Sequence, residues 1–237
     1  ANGPIMPPEE AWLPGVYVTA VSQNGCTAGT ACQIFLQQDL GYATLGEAEK
    51  HSIKIFASKN TSMYFTGIHV GDQLNVYGHA WRYDVDGQNE LLIQVAQHLT
   101  GCAKVVSQNN AITPVPLTTL ASVVSEDYEA VGPLFVKVVP VSAQHVHGKP
   151  KMPDQTFAIF DSSIMADAGP DMLISLSPFF MTGAVFANLP TNGMTSTQFD
   201  QVTGVYGLFV PPMQTPPVTK YKEIYVRTEA DYAPHNP

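Results

Sequence analysis

The sequence predicts an all-β chain made of two tandem five-stranded barrels. Three observations predict it. The first half carries five short runs rich in β-branched and aromatic residues, and the second half carries five more in the same order. Hydrophobic residues make up 45% of the 237 and charged residues only 13%, against roughly 25% charged in typical globular domains. No apolar run approaches the ~18 residues of a membrane span, and no charged helical periodicity competes with the strand pattern.

Residues 1–14 (ANGPIMPPEEAWLP) hold four prolines and read as an extended lead-in. Gly15 to Ser22 then alternates as a first strand, Cys32 to Gln37 as a second and Ser52 to Ala57 as a third. Asp72 to Tyr77 and His79 to Val85 form a long fourth strand, with Gly78 read as a bulge. Asp86-Gly87 signals a hairpin turn, and Glu90 to Val95 follows as the fifth strand.

The second half repeats the order. Gly132 to Val139 matches the Gly15 strand, Gln155 to Asp161 the Cys32 strand, and Met172 to Ser177 the third. Phe199 to Gly207 (FDQVTGVYG) matches Gly71 to Gly78 (GDQLNVYG), and Lys220 to Val226 matches the fifth. Five matches in one order argue for duplication of a module. A short helix fits Lys59–Val70 in the first copy and Phe179–Gln198 in the second. Five strands with a helix between the third and fourth is the plan of an oligonucleotide/oligosaccharide-binding (OB) barrel. Polar Ser107–Val115 reads as the linker, and Leu117–Asp127 as a short helix or strand opening the second copy. The expected organisation is a lead-in at 1–14, one OB-like module at 15–112 and another at 113–237.

Within the second module, Tyr128-Glu129 leads into Leu134-Phe135-Val136-Lys137-Val138; Val202-Thr203-Gly204-Val205 follows, and Val226-Arg227-x-x-x-Asp231 closes the chain. These residues resemble the OB-fold modules attached to secreted bacterial nucleases and related surface proteins. The last element resembles a Pro-Arg-x-x-x-Asp ending, with Val226 in place of the proline. The resemblance covers about half of the chain and implies the fold. It carries over no catalytic group, because the nuclease domain that accompanies such modules has no counterpart here, and OB folds host many roles.

Net charge is −9, spread as −4 over residues 1–112 and −5 over 113–237. Nucleic-acid binding rests on phosphate neutralisation by Lys and Arg, so this balance disfavours it. A cationic polymer, a metal ion or a neutral ligand fits the charge better; the expected partner is a polymer or a protein of unknown identity, and a homo-oligomer is compatible with the sequence. The Ala-Asn-Gly start and the Thr, Ser, Gln and Asn content suit a secreted, periplasmic or cell-surface protein, and equally a segment boundary. Of three cysteines, Cys26 and Cys32 flank a small-residue loop and are read as a disulfide in an oxidising compartment. The alternatives pair Cys26 or Cys32 with Cys102, or leave all three reduced or on a metal.

Two constellations are candidates for chemistry. Tyr77, His79, Trp81 and Tyr83 alternate along the fourth strand and would share one face, a stacking platform for bases or sugar rings. The plainer reading is core or inter-module packing. His145 and His147 lie two apart in an extended segment and would point the same way. Such a pair suits Zn or Cu, with Met152 or Asp154 as further ligands. The plainer reading is two solvated loop histidines, since two ligands fall short of a metal's need. Asp161, Asp167 and Asp171 read as a solvated acidic loop without the ordered spacing of a calcium loop. No G-x-S-x-G, H-E-x-x-H, P-loop or G-x-G-x-x-G occurs. The expectation is a non-enzymatic binding or structural protein; the alternatives are a metal-dependent enzyme or carrier at His145/His147 and an oligosaccharide- or ssDNA-binding protein.

Overall fold

The structure, a computed structural model, describes residues 9–22, 25–83, 90–94, 103–124, 132–139, 141–145, 157–164, 174–177, 196–209 and 221–234. Its described part is all-β, in two sheets of six and eight strands joined by short helices and turns. These counts exceed the expected five and five.

The first sheet is built from β1 (Glu9–Val21), β2 (Cys32–Gln37), β3 (Ser52–Ala57), β4 (Gln73–Tyr83), β5 (Glu90–Gln94) and β6 (Ala103–Ser107). Its order is β1-β2-β3-β5-β4-β6, and β4 also pairs back onto β1. The second sheet holds β7 (Val115–Leu117), β8 (Phe135–Val138), β9 (Val141–His145), β10 (Phe157–Phe160), β11 (Ile174–Ser177), β12 (Ser196–Phe209), β13 (Tyr221–Tyr225) and β14 (Tyr232–Pro234). Its path is β13-β11-β10-β9-β12-β8-β7, with β12 pairing to β13 and β14 as well.

Five pairings of the first sheet have counterparts in the second. The antiparallel ladders β1–β2, β2–β3 and β4–β5 have counterparts in β9–β10, β10–β11 and β12–β13. The parallel ladder β3–β5 has its counterpart in β11–β13. The ladder from β4 to β1 is matched by β12 to β8 and β9, so the single first strand of one sheet is two strands in the other.

Two expectations need correction. β1 starts at Glu9, six residues before Gly15, so Pro14 does not stop the strand. The bulge lies on β1 between Leu13 and Val16 and not at Gly78, which pairs regularly with Ala11. Pro14 has no N–H to give a ladder, and Gly15 adopts φ +66°. The bulge is tied down from β4: Asn75 Oδ1 accepts from Gly15 N at 2.9 Å, and Gln73 Nε2 donates to Gly15 O at 3.1 Å. Those two amides take the place of the missing ladder bonds.

The first core gathers Val16, Val18, Ile34, Leu36, Ile55 and Leu74. At the end where Cys32 pairs with Ala57, the Cys26–Cys32 disulfide and Phe65 join it, Phe65 from a 3-10 turn at Ser62–Phe65 within the stretch expected to be helical. The second stretch expected to be helical, Phe179–Gln198, lies almost wholly outside the described residues. A helix does open the second half, α2 (Ala121–Val124), following α1 (Leu45–Ala48) between β2 and β3.

The halves are packed together. Ala48 of α1 is buried in the second core, with Tyr42 and Leu45 against it. Ala20 and Phe35 of the first sheet bury against Val205 and Tyr225 of the second. The Phe35 and Tyr225 rings meet edge-on, 6.3 Å apart at 76°. The linker is held as well: Asn110 donates from both N and Nδ2 to Gly71 O, and Thr113 N donates to Leu40 O at 2.7 Å.

Candidate functional site: an aromatic face on the first sheet

Because Gly78 keeps register, Tyr77 and His79 do lie on one face of β4. Antiparallel pairing sets Trp12 of β1 opposite Tyr77, and Glu10 opposite His79. Directly opposed residues share a face with Cβ atoms roughly 5 Å apart. Their neighbours Leu13 and Val76 point the other way, into the core. Trp12, Glu10, Tyr77 and His79 therefore sit together on the outer surface.

Trp12 is 57% exposed, the largest of the exposed apolar side chains among the described residues. The Tyr77 hydroxyl is held by a hydrogen bond to the Glu10 carboxylate; that bond, with burial and the carboxylate's charge behind it, raises the phenol above its ordinary range. A protonated, anchored phenol keeps its ring fixed beside the indole. His79 is half-buried, and its Nδ1 is shielded from solvent with no hydrogen-bond partner. A buried ring nitrogen without a partner costs ~1–3 kcal/mol unless a ligand or water bonds to it.

Trp81 and Tyr83 continue the alternation on β4, opposite Leu92 and Glu90 of β5; their side chains lie outside the described residues. Sequence reasoning missed Trp12. The signal was present, because Glu10 and Trp12 alternate with apolar Ala11 and Leu13, but the surrounding prolines masked it.

The expected metal pair falls differently. His145 ends β9 with its backbone opposite Phe157, while its side chain and all of His147 lie outside the described residues. Among the described residues, no group of three or more His, Cys, Asp or Glu is arranged to hold a metal ion. Cys102, Asp167 and Asp171 also lie outside them. Asp161 is partly buried and hydrogen-bonded. Its carboxylate accepts from Leu120 N at 2.8 Å, capping the turn into α2, and from the backbone N–H groups of Ser163 and Ile164. Burial pushes this carboxyl up, but the bonds from Ser163, Leu120 and Ile164 outweigh it and hold the group below its usual value.

The Arg227-x-x-x-Asp231 element is a buried lock. Asp231 is 4% exposed and takes Arg227 Nη2 at 3.0 Å, Arg227 N at 2.7 Å and Thr203 Oγ1 at 2.8 Å. The same guanidinium donates from Nη1 to Thr19 O of the first sheet at 3.2 Å and lies 3.8 Å over the Phe135 ring. It pins the chain's end to both sheets and offers no free group for chemistry. No described helix is long and apolar enough to cross a membrane.

Comparison with family models, curated proteins and solved structures found no match to this chain.

Proposed function

We propose that the chain is a non-enzymatic binding protein that holds a neutral oligosaccharide on the outer face of β1 and β4. The observation that carries this reading is Trp12, 57% exposed and set directly opposite Tyr77. A sugar ring laid on the indole would cover apolar surface now in water, and its hydroxyls would meet the exposed Glu10 carboxylate. A single-stranded nucleic acid would also find rings to stack on. It would bring its phosphates to the Glu10 carboxylate on a chain of net charge −9, and the electrostatics argue against it.

The wider architecture supports a scaffold for such a face. We read each sheet as an OB-like cylinder and the two as copies of one module, with boundaries at 15–112 and 113–237 and β1 reaching back to Glu9. The reading rests on the circuit β1–β2–β3–β5–β4–β1 and its counterpart β9–β10–β11–β13–β12–β9. The Cys26–Cys32 disulfide supports a secreted or surface location.

The test is a titration of intrinsic tryptophan fluorescence with cellohexaose, with a thymidine hexanucleotide as comparison. The sugar is expected to change the emission and the nucleotide to leave it unaltered. Trp12→Ala is expected to weaken sugar binding about tenfold or more, as for the loss of one stacking contact worth ~1–3 kcal/mol. Equal binding of the sugar by the Trp12→Ala variant would refute the assignment.

A further inference from the structure

The aromatic face has a direction, set by the strands that flank it. At the level of Trp12 and Tyr77 it is two residues wide among the described residues. β1 pairs with β2 only from Tyr17 onward, so no described strand lies beyond Trp12. On the other edge of β4, β5 pairs along His79–Tyr83 and β6 along Gln73–Val76, and Tyr77 falls in the gap between them. A ligand that covers both rings gains further protein contact along β4 and not across it.

The next level along β4 carries a cation. Asn75 lies two residues before Tyr77 and so on the same side of the strand. Lys104 of β6 is paired directly with Asn75, and directly opposed residues share a face. The core gives the same answer from the other side, since Ala103 and its partner Val76 both pack into the first core. Lys104 is exposed and stands diagonally from Tyr77, at the roughly 7–8 Å that long side chains span. Its polar neighbours on β4 are committed to the fold: Asn75 Oδ1 accepts from Gly15 N, and Gln73 bonds to Gly15 O, Tyr17 and Ser107. Glu10 and His79 occupy the level on the far side of Tyr77. From there to the Lys104 level is ~13 Å at the rise of a strand, longer than one hexose ring.

We propose that the ligand is a linear oligosaccharide of at least three residues lying along β4, with its central ring on Trp12 and Tyr77 and a hydroxyl oxygen of the next residue accepting from the Lys104 ammonium. This rests on the oligosaccharide reading above and adds to it a minimum chain length, a direction and the residue that selects for both. An ammonium donates hydrogen bonds and accepts none. It therefore complements the Glu10 carboxylate, an acceptor, at the opposite end of the face. β6 ends the path of its sheet, and a lysine on an edge strand also discourages pairing with another chain. That role alone predicts no effect on sugar affinity.

The experiment is a titration of the whole chain with cellobiose and with cellotriose, followed by intrinsic tryptophan fluorescence. Cellotriose is expected to bind about fivefold more tightly, the increment of one charge-assisted hydrogen bond. Lys104→Met keeps the aliphatic stem and removes the donors. It is expected to weaken cellotriose about fivefold and to leave cellobiose unchanged, while Lys104→Arg retains the preference. Where cellobiose fails to saturate, cellotriose on the unaltered chain and on Lys104→Met decides. Equal cellotriose affinity in those two proteins overturns the proposal, as does equal affinity of the unaltered chain for the two sugars. If the unaltered chain responds to neither these sugars nor cellohexaose, the oligosaccharide reading falls and this inference falls with it. A response that depends on Trp12 but is indifferent to Lys104→Met removes this inference alone.

Discussion

Replacing Asp231 by Ala is expected to lower the stability of the fold by about 3–5 kcal/mol, the cost of leaving one partner of a buried ion pair uncompensated. Arg227 keeps a fifth of its side chain in water, which places the effect toward the lower end of that range. The carboxylate lost is also the acceptor for the backbone N–H groups of Arg227 and Thr228 and for the Thr203 hydroxyl. The pH dependence gives an independent signature. Burial pushes the Asp231 carboxyl up, but the Arg227 hydrogen bonds and charge, with Thr203, outweigh it and depress the group. A carboxyl depressed in the folded state stabilises fully above its unfolded value near 3.9, and the contribution fades as pH falls through the folded value. Urea unfolding between pH 5 and pH 2 should therefore show the unaltered protein losing stability more steeply than Asp231→Ala. Asp161, depressed in the same direction, contributes equally to both curves. Parallel curves for the two proteins would show that Asp231 is not the group that titrates.

Phe35→Ala is expected to cost about 3–5 kcal/mol, as for other phenylalanines removed from a packed interior. Phe35 is 1% exposed and packs with Ala20, Val205 and Tyr225 at the junction of the two sheets. The variant should also show a less cooperative transition, because one of the apolar contacts that couple the sheets is gone, leaving Ala48 of α1 in the second core and Arg227 on Thr19 O. Gly207→Ala reaches the same junction from the other side. A Cβ at Gly207 would collide with the Tyr225 ring, so the ring would have to leave its place against Phe35. Fluorescence and circular dichroism transitions that stay coincident in both variants would show that the sheets are coupled elsewhere.

Much of this fold was legible in the sequence because its strands obey simple alternation. Cys32–Gln37 and Ser52–Ala57 appear with the expected bounds, and the Cys26–Cys32 bridge is present. What escaped was register, which alternation alone does not fix. The repeat aligned Tyr77 with Tyr206 through the shared Val-Tyr-Gly. In the fold they face opposite ways: Tyr77 lies on the outer surface, whereas Tyr206 is fully buried, its phenol raised by burial and its hydroxyl donating to Val123 O. The segment in the second half carries one extra residue between its Asp-Gln and its Val-Tyr, and one residue inverts every side chain beyond it. Gly204 makes this crowding tolerable, since a Cβ there would meet Tyr225 O at 2.6 Å.

The aromatic face was half legible. Tyr77 and His79 follow from spacing along one strand, but Trp12 joins them only through pairing with a strand about sixty residues away in the chain. Long-range side-chain bonds were hidden for the same reason. The Pro14-Gly15 bulge is stable only because Asn75 and Gln73 reach across to it, so the local pattern reads as a break where the fold has a strand.

The chain has two tryptophans, Trp12 and Trp81, so a 15N-labelled sample gives two indole N–H resonances, assignable with Trp12→Phe. Following them during titration with cellohexaose tests the aromatic face directly. The Trp12 indole signal should shift progressively and saturate, together with the backbone amides around Tyr77 and His79. A titration in which the Trp12 signal stays fixed while resonances elsewhere move would contradict the proposed site.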